Sequence, residues 1–509
     1  MNTQIIAVVA LVVFAAIMIV IGIFTSKKSS TLDGFLLGGR KIGAWLTAFS
    51  YGTTYFSAVI FIGYAGKNGW DVGLSAMWIG IGNALIGALA AWLVLAKRTR
   101  KMTRKLNART MPEFFSARYE SRGMKIYSAV IIFIFLVPYA ATVYKGLGSL
   151  FGSIFPNDIL GMSPTTVCMI IVAVLAAAYL VLGGYIASAI SNLVQGIIMI
   201  AGVVIMCVAL VNHPNVGGVG NAIKSLGETN PTLTSIFGGS NASFLLWNIL
   251  LTSFGTWGLP QMVHKYYAIK DENEIKKGSV ISTIFCIIIG CGAYFAGSLG
   301  RFFIDANANG VPDIAGGYDS VVPTMLNAAF SSSVLGNILL SIILLCVLSS
   351  SMSTLSSIVL TSSTAISVDL LGSFKKGSVV DNSKKQMVIT RALCLLFIVL
   401  SLIFALFNFS IIVSIMSFSW GVVSGSFIGP YIWGLYSKKT TRAGAWCGLL
   451  SGVVVFAVYY ILSLLVPAIK FDVAMCGVMA MAVSFVSVPI VSAFTKKLPE
   501  KTLQAAFEN

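Results

Sequence analysis

Five hydroxyl side chains, Ser350, Ser353, Thr354, Ser357 and Thr361, recur at the spacing i, i+3, i+4, i+7 and i+11. In a helix that spacing lines them along one face. They belong to the run LSSSMSTLSSIVLTSS at 348–363, where ten of sixteen residues are Ser or Thr. Small hydroxyls let helices approach closely and can bond the carbonyl four residues back, so packing is one reading. Ligation is the other. Hydroxyl oxygens beside freed backbone carbonyls make an all-oxygen site, without thiolate or imidazole, that suits a hard cation. The stripe holds no carboxylate, so a monovalent ion fits better than Ca2+, and Na+ is the physical favourite.

Other chemistries find little material. The only histidines, His213 and His264, are far apart, and the eight cysteines form no CxxC pair. Cysteines scattered through apolar stretches read as small buried hydrophobes. An ATP-driven pump needs a phosphate-binding loop, and the one lookalike, Ala65-Gly66-Lys67-Asn68, lacks both the leading glycine spacing and the following Ser/Thr. A membrane enzyme would need clustered His, Asp or Cys in the spans, which the sequence does not offer.

The elements that must position the stripe are apolar. The chain has 509 residues, 57% hydrophobic and 10% charged, with mean hydropathy +0.91; a soluble chain carries about 25% charged residues. Repeated charge-poor stretches predict spanning helices. The first, 4–24, follows no basic segment and is too long for a signal-peptide core, so it reads as a retained span. The net charge of +17 does not imply nucleic acid. The basic residues come in small clusters between apolar stretches, such as KRTRKMTRK at 97–105, Lys27-Lys28 and Lys375-Lys376. That is positive-inside patterning.

About thirteen spans are expected, at 3–25, 43–65, 73–96, 124–152, 163–184, 188–211, 241–268, 278–300, 335–371, 388–407, 410–436, 443–466 and 472–495. With the N-terminus outside and the C-terminus cytoplasmic, only Lys67, Lys145, Lys224, Arg301 and Lys470 fall off the cytoplasmic side. The stretches 212–240 and 301–334, with Asn, Gly and Pro, read as outer connections. Lys145 reads as the one basic side chain well inside a span, reaching either the outer surface or a substrate carboxylate. Asp369, near Lys375 and Lys376, reads as an interfacial charge.

Two spans carry polar interruptions: SYGTTYFSAV at 50–59 and SFGTWGLPQM at 253–262, both opening Ser–aromatic–Gly–Thr. Glycine weakens a helix and Pro260 removes a backbone bond. Broken backbone survives in a bilayer only where protein buries it or it lines a cavity. Each interrupted span heads a group of five. The expected fold is therefore all-α and integral to the membrane, a five-plus-five inverted repeat with discontinuous helices 2 and 7. One domain covers 1–509: an extra helix at 3–25, a first repeat at 43–211, a second at 241–436 and two C-terminal helices at 443–495.

At these residues the chain resembles the sodium:solute symporter family, especially its proline and pantothenate carriers. The likeness runs over most of the chain, through YFSAVIFIG at 55–63, NARTMPEFFSARYESR at 107–122, LGGYIASAISNLVQG at 182–196, GLPQMVHKYYAIKD at 258–271, GSLGR at 297–301 and SMSTLSS at 351–357. The resemblance implies a two-times-five inverted repeat with one helix before it and two after. It implies one Na+ between the first broken helix and the hydroxyl helix, held by the Ser353 and Thr354 hydroxyls and the Thr53, Phe56 and Ser350 carbonyls. Some members hold a second Na+ on two more serines and an aspartate. The serines correspond to Ser356 and Ser357, but the aspartate position is Asn192, so one Na+ per cycle is the preferred stoichiometry.

The same resemblance places a substrate pocket beside the breaks. Its candidates are Tyr55, Ser57, Tyr139, Thr256, Trp257, Pro260 and Trp420. Proline carriers have Asp at the Tyr55 position, whereas pantothenate carriers have Tyr; the apolar Ile60 argues against a sugar. The implied function is Na+-coupled symport of a small carboxylate-bearing solute, such as pantothenate, proline or another amino acid, across the cell membrane by alternating access. Its partners are then that solute, Na+ and the lipid bilayer, with no nucleic acid and no enzymatic step. A proton-coupled symporter of the same fold, or a sodium-dependent channel or sensor, are the alternatives.

Overall fold

Lipid offers a backbone no hydrogen-bond partner, so long apolar runs fold as helices that satisfy themselves. The computed structural model describes residues 3–26, 31–155, 157–159, 161–374, 383–407, 410–466 and 470–507, and among these it is helical with isolated bridges rather than strands. Lys27-Lys28 and Lys375-Lys376 lie outside the described residues. Ten helices in the described residues are long and apolar enough to cross a membrane, eleven if one bent pair counts as a span. Their outward faces are hydrocarbon: Val12, Ile23 and Phe24 on Thr3–Ser26 are 63%, 57% and 78% exposed, as lipid-facing side chains should be.

Two long helical runs turn sharply inside. The run Val59–Lys105 breaks at Gly73 (φ 58°), and Pro164–Val211 breaks at Gly184 (φ 57°). Only glycine adopts that backbone freely. A side chain at Gly184 would also strike the Phe35 ring at 2.5 Å. These turns sit between the sequence-expected spans 43–65 and 73–96, and between 163–184 and 188–211.

The first interrupted helix runs Ala44–Tyr55. Its first amide, Ala44 N–H, donates to the Glu274 carboxylate at 2.5 Å, a favourable charge at a helix N-terminus. It stops at Phe56, whose backbone is extended (φ −102°, ψ 117°). Ser57 restarts it by accepting the Val59 N–H at 3.2 Å. The second interrupted helix runs Ala242–Gly258, passes an extended Leu259, and resumes at Pro260–Ala268 with a bend of 46°. Proline suits that first helical position, where its missing N–H costs nothing. The start of the first helix lies beside the end of the second, since Ile42 N–H donates to Ala268 O (3.2 Å) and Lys270 N–H to Ile42 O (2.9 Å).

The hydroxyl run sits on Val334–Thr364, between Arg122–Ile154, Pro164–Val211 and Ala44–Tyr55. The three helices Ile412–Tyr436, Arg442–Leu465 and Val473–Ala493 pack together, the first two through glycines at every fourth residue, Gly421, Gly425 and Gly429 and Gly444, Gly448 and Gly452. A Cβ on Gly425, for example, would meet Gly452 Cα at 3.2 Å, the close approach that small residues permit in membranes. The stretches expected as plain outer connections carry short helices of their own, Val219–Thr229 and Val321–Phe330.

Candidate functional site

The hydroxyl stripe meets the first break. Ser353 Oγ donates to Thr53 O at 2.6 Å, and Thr354 Oγ1 donates to Thr54 O at 3.1 Å. Both also lie within reach of Ser350 O, at 3.2 and 3.1 Å. Thr53, Phe56, Ser350, Ser353 and Thr354 all have no exposed surface. A break in a helix leaves carbonyls that no amide of the same helix caps, and here two hydroxyls from another helix reach them. A hydroxyl has one proton and two lone pairs. Turned the other way, the same hydroxyls present oxygen, and the carbonyls they release present oxygen too. The donor set is all oxygen and neutral, which fits a hard monovalent cation. Among the described residues no three His, Cys, Asp or Glu side chains gather to hold a metal.

One turn further along the hydroxyl helix the partners change. Ser356 Oγ lies 2.9 Å from Ser188 Oγ and donates to Ser353 O at 2.9 Å. Ser357 Oγ lies 2.8 Å from Thr54 Oγ1, and the ammonium of Lys265 donates to it at 2.9 Å. Asn192 is fully buried, and neither amide atom has a hydrogen-bond partner among the described residues. Thr361 lies on a small cavity with Pro260, His264, Leu360 and Asp369.

Lys265 corrects the reading of Lys145 as the one basic side chain inside a span. Lys265 is only 2% exposed, five residues past Pro260 in the expected span 241–268. Its position after the break was the available signal. Lys145 instead pairs with Asp319 at 3.1 Å and donates to Ser410 O at 2.6 Å. Asp369 is enclosed by protein rather than facing out: it is wholly buried, accepts from Thr110 Oγ1 at 2.8 Å, and lies 3.5 Å from Lys125 Nζ. That network borders a cleft of about 630 Å3 lined by Asp33, Arg109, Glu113 and Lys125.

The substrate candidates divide. Tyr55, Tyr139 and Trp420 gather: the Trp420 ring lies 6.1 Å from Tyr55 and 5.9 Å, edge-on, from Tyr139. The Tyr55 hydroxyl donates to Thr252 O at 2.7 Å, so its ring faces Trp420 while its polar end is satisfied by backbone. Thr256 sits nearby, donating to Gly87 O at 2.9 Å, and Ser57 caps the restarted helix. Trp257 points to another helix, donating to Ile86 O at 3.0 Å. Pro260 borders the Asp369 cavity instead.

Known proteins match the chain over most of its length. A profile of the sodium:solute symporter family matches residues 35–452. The osmoregulated proline transporter OpuE of Bacillus subtilis is 29% identical over 453 residues, 87% of each chain. The high-affinity proline transporter PutP of the same organism is 29% identical, covering 86% of this chain and 88% of its own. The sodium/proline symporter of Staphylococcus aureus is 28% identical, covering 89% of this chain and 85% of its own. Among solved structures, a Na+-coupled sialic acid symporter in a substrate-bound outward-open state has a TM-score of 0.77 at 16% identity, covering 97% of this chain and 99% of that one. A nucleobase-cation-symport-1 family transporter gives 0.51 at 15%, over 94% and 98%. At those identities the structures speak for a shared transporter fold. These relatives are transporters rather than enzymes, and the chain belongs to the sodium:solute symporter family.

Proposed function

We propose that this protein carries a small carboxylate-bearing organic solute into the cell together with one Na+, by alternating access. The observation that carries the reading is the seam where Ser353 and Thr354 meet the Thr53 and Thr54 carbonyls. Na+ entering that seam replaces two hydrogen bonds with ligation by the Ser353 and Thr354 hydroxyls and the Thr53, Phe56 and Ser350 carbonyls. It thereby joins the hydroxyl helix to the first broken helix. Tyr55 lies in the same break, so ordering the break shapes the pocket of Tyr55, Ser57, Tyr139, Thr256 and Trp420. Each ligand then raises the affinity for the other, a coupling that is reciprocal by thermodynamic necessity.

The driving force is adequate. A potential of ~100 mV contributes about 2.3 kcal/mol per Na+, and a tenfold gradient adds about 1.4 kcal/mol. Together they support roughly 500-fold accumulation with one ion. Proline, which the relatives carry by name, is the first solute to test. Pantothenate and other amino acids follow, because Tyr55, Tyr139 and Trp420 form an uncharged aromatic pocket.

Thirteen spans in a five-plus-five inverted repeat remain our reading of the architecture. It is supported by the turns at Gly73 and Gly184 and by the pairing of Ile42 with Ala268 and Lys270. That pairing makes the first broken helix start where the second ends, so the two run in opposite directions. An outside N-terminus and cytoplasmic C-terminus in the cell membrane are supported by charge. One end gathers Lys97, Arg100, Arg104, Lys270 and Glu272. The other gathers the pairs Lys67–Asp71 and Lys145–Asp319.

The test is uptake of labelled solute by proteoliposomes, with Na+ replaced by choline at fixed pH. Uptake should require Na+, and Ser353→Ala should weaken the Na+ affinity about tenfold or more, the loss of one ligand at about 1.4 kcal/mol. Uptake driven equally by choline medium and a proton gradient would instead select the proton-coupled reading. Absence of counterflow would select a channel or sensor.

A further inference from the structure

We infer that the Lys265 ammonium serves as a tethered cation in the hydroxyl cluster of Thr54, Ser188, Ser356 and Ser357, so that this chain binds one Na+ where the cluster would otherwise take a second. The inference rests on the Na+ seam proposed above and concerns the turn below it.

Three independent features converge there. The first is the lysine. A buried ammonium is costly unless it is paired or well ligated. Lys265 is 2% exposed, and among the described residues no carboxylate pairs with it. Its partners are the Ser357 oxygen at 2.9 Å and the face of Tyr185, whose centroid lies 5.4 Å from Nζ. A neutral oxygen and an aromatic face are what a cation accepts in place of an anion.

The second feature is the oxygen cluster. Ser357 is joined to Thr54 of the first broken helix at 2.8 Å, and Ser356 to Ser188 at 2.9 Å. Four elements therefore contribute: the first broken helix, the kinked helix Pro164–Val211, the lower limb of the second broken helix and the hydroxyl helix. All four hydroxyls are neutral, as at the seam above.

Third, Asn192 has no exposed surface, and among the described residues both its amide atoms are unpaired. Its direction follows from register. Ser188, one turn before it, touches Ser356. Gly196, one turn after it, lies where a Cβ would come 3.0 Å from Thr53 Cγ2. Asn192 therefore faces the space between the seam and the lower cluster. A buried amide with both ends unpaired offers one acceptor oxygen and one donor N–H2 group, of which only the oxygen could ligate a cation. An amide brings oxygen but no negative charge. With Asn192 there, nothing neutralises a Na+ that would stand beside the ammonium, and the two cations would repel.

The ammonium thus does permanently what a second ion would do transiently, holding Ser357, which in turn bonds Thr54 of the first broken helix. Its carrier limb follows the Pro260 break, so the tie also links the two broken helices.

The test counts ions and needs no solute. Equilibrium binding of 22Na+ to the purified full-length protein should give one Na+ per wild-type chain, abolished or weakened tenfold or more by Ser353→Ala. Lys265→Met should bind two, the second weakly. Asn192→Asp with Lys265→Met should bind two, the second about tenfold tighter than in Lys265→Met alone. Asn192→Asp alone should bind one, because its new carboxylate pairs with Lys265. Lys265→Arg, which keeps a cation and checks folding by thermal unfolding, should also bind one. Two Na+ on the wild-type chain, or one Na+ on both Lys265→Met variants when they unfold near the wild-type temperature, overturns the inference. If the double variant does not fold, Lys265→Met alone decides by the same count. Wild-type affinity in Ser353→Ala would overturn the seam itself, a distinct outcome.

Discussion

The two broken helices fail for different reasons. The second carries its break in its own sequence: Gly258, an extended Leu259 and Pro260, bent by 46°. The first has neither glycine nor proline at Phe56 and Ser57, where it stops. Its break is sustained from outside, by the Ser353 and Thr354 hydroxyls that take the stranded carbonyls. A break built from glycine and proline is permanent. One held by exchangeable hydroxyls can trade them for an ion. On the proposed reading, the first broken helix senses Na+ and the second serves as a fixed elbow.

The comparison breaks most visibly if both external hydroxyls are removed. Ser353→Ala with Thr354→Ala should lower Na+ affinity about 100-fold, near 2.8 kcal/mol for two ligands if they act independently. Folding should lose about 2 kcal/mol, at about 1 kcal/mol for each of the two cross-helix hydrogen bonds. The paired measurement is Na+ activation of uptake against thermal unfolding in detergent. A lower unfolding temperature with wild-type Na+ affinity would mean that these hydroxyls only pack.

The converse experiment is at the fixed elbow. A side chain at Gly258 would place its Cβ 2.8 Å from both Ser424 Cα and Ser424 O, backbone that cannot move aside. Gly258→Val should destabilise the fold by about 1–3 kcal/mol, as overpacking does. The folded fraction should keep its Na+ affinity. A tenfold loss of affinity at unchanged unfolding temperature would make the second break part of the ion site.

Pro260→Ala should do less. The proline occupies a first-turn position where no helical hydrogen bond is lost, so its main contribution is to stiffen the unfolded chain, about 0.4–1 kcal/mol. The bend should survive through Gly258 and Leu259. Unfolding temperature should fall slightly and Na+ affinity should hold.

What the sequence made legible follows the same division. The stripe Ser350, Ser353, Thr354 was readable because helical spacing alone puts those residues on one face. Pro260 announced its break to within a residue. The window 50–59 contained the first break, but its location at Phe56 depends on a helix some 300 positions away in the chain, since Ser353 reaches Thr53. Lys265 was legible in principle, as a lysine within an apolar span. Its partner Ser357 was not, because only packing brings them together. Asp369 shows the same limit: its neighbours in sequence suggested an interface, and its partners Thr110 and Lys125 come from elements far along the chain. Local pattern finds faces and breaks, whereas long-range pairing decides what they face.

The smallest effect lies on the latch between Lys145 and Asp319, which sits over the restarted limb of the first broken helix rather than over the elbow. Burial holds the Asp319 carboxyl above the ordinary carboxylate range, against the opposing pull of Lys145 and of the Ile412 N–H. The folded state therefore keeps this proton more readily than the unfolded chain does. Asp319 then contributes stability that is fully present below the unfolded pKa of about 3.9 and is lost as pH rises through the higher folded value. Asp319→Asn keeps an oxygen for the Ile412 N–H but cannot titrate. Unfolding temperature followed from about pH 4 to pH 7 should show wild type losing stability relative to Asp319→Asn as pH rises, by less than the largest shifts above. A gain over the same range would mean that the Lys145 pair outweighs burial, and the latch would then be strongest, not weakest, at neutral pH.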